Sequence, residues 1–286
     1  MALFYVGINK NQTELGLELR PYQVPGGDND DKSVTLKELG DKAIALGLVS
    51  YHRPGGTTQL VKRFIVAGIP VITRTRLKKE DDIGHFRIIK GYDDASGEFI
   101  QDDSLQGKNL RYSYADFSAL WQTFGYEYLI ISRPEKIAEI LAILGDQADE
   151  TVAWRHAADQ ARNVLKTNPS DMYTGLNLSV ALYHIGDFSG SVAEFEKVES
   201  RLPFRTLWYQ IEPMLSYYEL KHDARVFDIT DRILSNQNRA YSELYLLRGR
   251  VYQRQGNTEK AREEFAKAVL YNTSLGEARE ALSSLR

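Results

Sequence analysis

The chain has 286 residues, 43% of them hydrophobic and 26% charged, enough for buried cores in about two domains. A net charge of -3 with no long basic run excludes the electrostatic footprint of a nucleic-acid binder, and the lack of any cysteine excludes disulfides and thiolate metal sites. No apolar run approaches the roughly 20 residues that cross a bilayer, and the N-terminus lacks the charged start and cleavage site of a signal peptide, which leaves the compartment open.

Met1 to Val6 is apolar and aromatic, too short to fold alone, and reads as the last turn of a core helix capped by Gly7. Asn11 with Glu14 three residues later forms a capping box, opening a short helix to about Leu19 that Pro21 stops. Pro25-Gly26-Gly27 and the acidic residues Asp28, Asp30 and Asp31 follow. They read as a solvated turn rather than a calcium loop, because the ligand spacing, sixth-position glycine and terminal glutamate are wrong. Thr35 and Glu38 predict a second capping box, with Leu36, Leu39, Ala43, Ile44 and Leu46 marking a helix that Gly47 ends.

Leu48 to His52 reads as a strand, and Thr57 or Thr58 caps a helix through Ala67 with Leu60, Phe64 and Ile65 inward. Ile69 to Thr73 is a buried strand whose Pro70 stands at its start, where a missing N–H is tolerated. Lys78 to Asp82 is a solvated loop, placed where it would rim anything held at His85. Phe86 to Tyr92 and Glu98 to Gln101 read as paired strands, with turn residues Asp93, Asp94, Ser96 and Gly97 between them. That hairpin brings His85 and the Asp102/Asp103 pair to one edge, and a carboxylate beside an imidazole fixes its tautomer and steadies its protonated form. A strand over Leu110 to Tyr114, a helix over Tyr114 to Leu120 and a strand over Tyr126 to Ile131 complete the first domain. Trp121, Phe124, Tyr126 and Tyr128 read as core and edge packing rather than a substrate platform. The order is that of an α+β fold with an antiparallel sheet, and Ser132-Arg133-Pro134 is the expected boundary between domains 1-133 and 134-286.

Beyond it the composition becomes helical and repetitive. Tyr245, Gly249, Tyr252, Gly256, Ala261, Phe265 and Ala268 fit the tetratricopeptide pattern, and Gly186, Phe195 and Pro203 fall in equivalent places two repeats earlier. Weaker copies carry Tyr217 and Ile233, with Lys221 where glycine is expected, and Ala157 and Pro169. Residues 134-286 thus resemble a tetratricopeptide solenoid of about four helical pairs, closed by a polar helix near Leu275 to Leu285 beside Arg286. Such arrays bind extended peptides or proteins in a groove. Tyr209, Tyr217, Tyr218, Tyr241 and Tyr245 read mainly as inter-helix packing, and His156, His184 and His222 lack ligand spacing.

The Gly-His-Phe strand start, the Gly-Tyr-Asp turn and the Asp before a Ser-x-x-Gly loop resemble papain-like cysteine peptidases related to bacteriocin-leader-processing (double-glycine) peptidases. The resemblance makes His85 the general base and Asp103 its orienting carboxylate, with Asp102 as second choice. It also implies a nucleophilic cysteine in an Asn-Cys-Gly-Pro-like motif, with an oxyanion-holding glutamine just before it. Neither motif residue is present, and the first residues look like the end of the nucleophile helix, so the reading is of a domain lacking its nucleophile segment. The expected function is a cysteine-peptidase-like protein, inactive without a thiol, coupled to a protein- or peptide-binding repeat domain. The alternatives are a non-catalytic repeat scaffold carrying a degenerate peptidase domain and a papain-fold acyl transferase. No cofactor or metal is expected. Pairing of two copies across apolar surface left by a missing helix is a further expectation, and a monomer in sedimentation would count against it.

Overall fold

A computed structural model describes residues 1–19, 34–235 and 239–285. The proline-glycine turn and acidic cluster at Pro21 to Asp31, and Arg286, lie outside the described residues. The first helix, α1 (Ala2–Tyr5), ends at Gly7, whose φ of +73° favours glycine and whose N–H donates to Phe4 O. The expected capping box opens α2 (Gln12–Leu19): Asn11 Oδ1 accepts from Glu14 N at 2.9 Å and Glu14 Oε2 accepts from Asn11 N at 2.8 Å. A second box formed by Thr35 and Glu38 starts α3 (Leu36–Ala45). Leu36 and Ala43 of α3 are buried as the pattern implies, whereas Ile44 is exposed.

Six antiparallel strands follow: β1 (Val49–Arg53), β2 (Val71–Arg76), β3 (Gly84–Asp93), β4 (Glu98–Asp103), β5 (Gly107–Ser113) and β6 (Tyr128–Ser132), in the order β1-β6-β2-β3-β4-β5. The helix α4 (Thr58–Val66) is capped by Thr57, which accepts from Leu60 N, and α5 (Tyr114–Trp121) is capped by Ser113. Val61 and Phe64 of α4 and Phe117 and Trp121 of α5 share one core with Val71, Ile89, Phe99, Tyr128 and Ile130 of the sheet. Val61, rather than the expected Leu60, takes the fully inward position on α4. Burying each such large side chain contributes about 1.5–3 kcal/mol, so this core anchors the strands that carry the site. The β3–β4 turn forms as the sequence implies: Asp93 Oδ1 accepts from Ala95 N, and Gly97 has a φ of +69°. Trp121, Phe124 and Tyr128 are buried, and Tyr126 is partly so.

After Ser132 every element among the described residues is helical. By compactness the chain groups into Met1–Lys10 with Thr35–Phe204, and Asn11–Val34 with Arg205–Arg286. The first unit adds α6 (Ile137–Leu144), α7 (Glu150–Thr167), α8 (Met172–His184) and α9 (Phe188–Val198). The second holds α10 (Glu212–Glu219), α11 (Asp223–Ser235), α12 (Ser242–Arg254), α13 (Thr258–Tyr271) and α14 (Gly276–Ser284). Within each unit consecutive helices pair, α8 with α9 in the first and α12 with α13 in the second, as the expected repeat pattern implies. A Cβ at Gly249 on α12 would overlap the Phe265 ring on α13, so the glycine is what lets the ring seat. In the equivalent pair the roles are polar: Ser179 Oγ on α8 donates to Ser191 O on α9 at 2.8 Å. Lys221 takes a φ of +62°, the conformation that Gly186 (+84°) and Gly256 (+77°) adopt at the corresponding turns. The repeat's turn is therefore kept without its glycine. Tyr217, Tyr241 and Tyr245 are buried as expected, and His184 stacks on Trp154 with ring centroids 3.8 Å apart.

Candidate functional site

Strands β3 and β4 pair with Ile88 opposite Asp102 and Ile89 opposite Gln101. Alternation along a strand sends consecutive side chains to opposite faces, so Asp102 and Asp103 cannot both meet His85. Asp103 is the one that does. His85 Nε2 lies 2.7 Å from Asp103 Oδ2, with the imidazole 16% exposed and the carboxylate fully buried. Asp102, the second choice, pairs instead with Lys90, 2.6 Å from its Nζ, and accepts from Asn109 N at 2.9 Å. The sequence placed both aspartates at the right edge, and the two-residue period of the strand decides between them.

Asp103 is built in from three sides. Its Oδ1 accepts from the backbone N–H of Leu105 at 2.7 Å and of Gln106 at 2.9 Å, closing the turn into β5. Burial opposes its ionisation, but the Gln106 N–H, the His85 ring and the Leu105 N–H outweigh that cost and hold its carboxyl below the usual range. An ionised carboxylate only accepts, so the shared proton belongs to His85 Nε2. Nδ1 is then the ring nitrogen able to take a proton from another group.

A residue not singled out in the sequence completes the cluster. Arg87 is fully buried on β3, its Nε 3.8 Å from Asp103 Oδ2. Its guanidinium donates to Thr75 Oγ1 at 2.5 Å, Arg76 O at 3.1 Å and Leu77 O at 2.9 Å. Arg87 stands two positions after His85 and two before the core residue Ile89, so strand periodicity alone places it on the same buried face. Exposed apolar side chains flank the pair in sequence, Ile83 before His85 and Leu105 after Asp103. Lys78 to Asp82 is a surface loop, with Lys79 paired to Asp116.

The first unit contains another histidine–carboxylate pair: His52 Nε2 on β1 lies 2.6 Å from Glu127 Oε2, just before β6. Burial works against the Glu127 charge, yet His52 and the charges of Arg74 and His184 keep its carboxyl below the ordinary range. Seventy-five residues separate the two partners, beyond the reach of local motifs. Among the described residues, no cluster of three or more histidine, aspartate or glutamate side chains is arranged to hold a metal. Among them, no helix is long and apolar enough to cross a membrane.

The site thus consists of a buried carboxylate holding an imidazole at a strand edge, on an antiparallel sheet flanked by helices. Residues 1–129 match the model of the Peptidase_C39 like family. No curated protein matches the chain. Among solved structures, a crystal structure of MamA is 19% identical, covering 50% of this chain and 82% of that one, with a TM-score of 0.42. The structure described as MamA RS-1 ArsTM double mutant is 17% identical, covering 52% and 82%, with a TM-score of 0.42. A C39-like peptidase from Bacillus anthracis is 16% identical, covering 46% and 84%, with a TM-score of 0.38.

Proposed function

We propose that residues 1-133 are a degenerate cysteine-peptidase-like domain of the leader-peptidase type, in which His85 is the ancestral general base and Asp103 its orienting carboxylate. Residues 134-286 supply the binding surface for a peptide or protein. The observation carrying this reading is the 2.7 Å contact between His85 Nε2 and the fully buried Asp103. Burying a carboxylate costs several kcal/mol unless it is paired and hydrogen-bonded, and this one is satisfied in the geometry that orients a catalytic base.

Base catalysis needs something to deprotonate. The family's nucleophile is a thiol, and none of the 286 residues of this chain supplies one. Loss of the nucleophile in a triad enzyme removes most of the rate, so the pair in this chain holds its geometry without driving acyl transfer. Peptide recognition, rather than peptide cleavage, is then the activity of this chain. Incubation with a fluorogenic peptide library is expected to give no turnover above buffer. Turnover that disappears in His85→Ala would overturn the non-catalytic reading. Extending the chain ahead of Met1 with an Asn-Cys-Gly-Pro segment tests the assignment of His85. Acylation of that cysteine should appear and should depend on His85, and acylation indifferent to His85→Ala would remove the general-base role.

A further inference from the structure

A cavity of about 80 Å³ lies inside the first compact unit, where the loop after β1 and the turn before β6 meet α7 and α8. The helices contribute apolar wall, including Ala161, Val180 and the Trp154 ring, together with the polar side chains of Gln160, Thr174 and Asn177. About 10–15 Å³ suffices for one water, and a dry apolar cavity of about 150 Å³ admits benzene, so a group on a short stem fits here.

Two donors of the buried part of the lining, the amides of Gln122 and Asn177, are spent within the protein, while an acceptor beside them is not. Gln122 Nε2 donates to Asp171 Oδ2 at 2.6 Å and to Thr174 Oγ1 at 3.1 Å, and Thr174 Oγ1 donates to Asp171 Oδ2 at 3.0 Å. Asn177 Nδ2 donates to Gln122 O at 2.7 Å, which fixes the amide and leaves Oδ1 as its remaining polar atom. That Oδ1 is buried with no hydrogen-bond partner. An unsatisfied buried acceptor costs roughly 1–3 kcal/mol, recovered when a donor reaches it. Glu127 also lines the cavity, held ionised, with Oε2 taken by His52 and no hydrogen bond to Oε1 among the described residues. Trp154 and the partly buried Tyr126 add aromatic walls, which favour a cation over a neutral group.

We propose that this cavity binds a primary ammonium group on a short aliphatic stem, with Glu127 and Asn177 as its acceptors and the apolar wall around the stem. A lysine side chain and a peptide N-terminus both offer that chemistry. The site is separate from His85, so its outcome does not depend on whether the peptidase-type pair ever takes part in catalysis.

The test is a titration of the intact chain with n-butylamine, read on the Trp154 indole N–H resonance, which is assigned by its loss in Trp154→Phe. A saturable shift with a dissociation constant on the order of millimolar is expected for so small a ligand. Glu127→Gln should weaken butylamine at least tenfold while leaving any binding of neutral butyramide unchanged. Ala161→Leu, which fills the cavity with the Glu127–His52 pair intact, should abolish the shift and guards against misfolding of the first variant. Competition by Nα-acetyl-lysine amide would identify the side chain as the source, and competition by glycyl-alanine amide the N-terminus. No saturable shift with butylamine, a shift indifferent to Ala161→Leu, or competition by neither peptide compound would overturn the proposal.

Discussion

The β3–β4 face of the first unit buries several polar and charged side chains side by side, whereas the α12–α13 pair of the second is built mainly on an apolar nest. At α12–α13 the contact is small against large and apolar: Gly249 leaves room for Phe265, and Ala261 and Ala268 are fully buried beside it. On the β3–β4 face, Arg87, Gln101 and Asp103 are buried, with Thr73 and Thr75 of β2 alongside. The apolar nest of the helical pair depends on shape and its free energy follows apolar area, while one ion pair, Arg248 Nε to Glu264 Oε2 at 3.2 Å, ties the same two helices at its edge. The sheet face takes on the desolvation of two charges that a hydrophobic face of equal volume would avoid, and replacing such pairs with apolar residues is often neutral or stabilising. The proposed reading of His85 and Asp103 as a site rests on this arrangement, a buried carboxylate 2.7 Å from the imidazole with Arg87 beside it.

That contrast breaks most visibly at Phe265. Phe265→Ala removes a fully buried ring from its seat over Gly249 and should cost about 3–5 kcal/mol in urea unfolding of the second unit. A loss below about 1 kcal/mol would mean that the helical pair is held by something other than this nest. The smaller effect belongs to the sheet. Asp103→Asn keeps the shape but leaves Arg87 facing a neutral group, and should cost about 1–3 kcal/mol. Its pH dependence has a definite sign. Because the Asp103 carboxyl is held below its ordinary value, its contribution is complete above the usual carboxylate range, near pH 4, and fades as pH falls through the folded value. Asp103→Asn should therefore flatten the acid limb of stability. An acid limb identical in the two proteins would show that the buried carboxylate is not the group that titrates.

What the sequence made legible follows from how local each feature is. His85 and Asp103 lie 18 residues apart on one hairpin, so turn chemistry and alternation bring them together, and the same alternation separates Asp102 from them. The capping boxes at Asn11 and Thr35 and the Gly249–Phe265 spacing were readable for the same reason. Arg87 was within reach of the two-residue period, but a charge inside an otherwise apolar strand is easily assigned to the solvent face. His52 and Glu127, and the meeting of Asn177 with the turn before β6, depend on elements far apart in the chain. Lys221 weakened the signature of one repeat copy, because the left-handed conformation at its turn is carried by a lysine rather than by glycine.

The central claim, that a buried ionised Asp103 holds the His85 imidazole through Nε2, is tested most directly by long-range proton–nitrogen correlation on the histidine rings. Neutral His85 is predicted to carry its proton on Nε2 in the native chain and to lose that single tautomer in Asp103→Asn. A neutral ring protonated on Nδ1, or a tautomer unaffected by Asp103→Asn, would contradict the account.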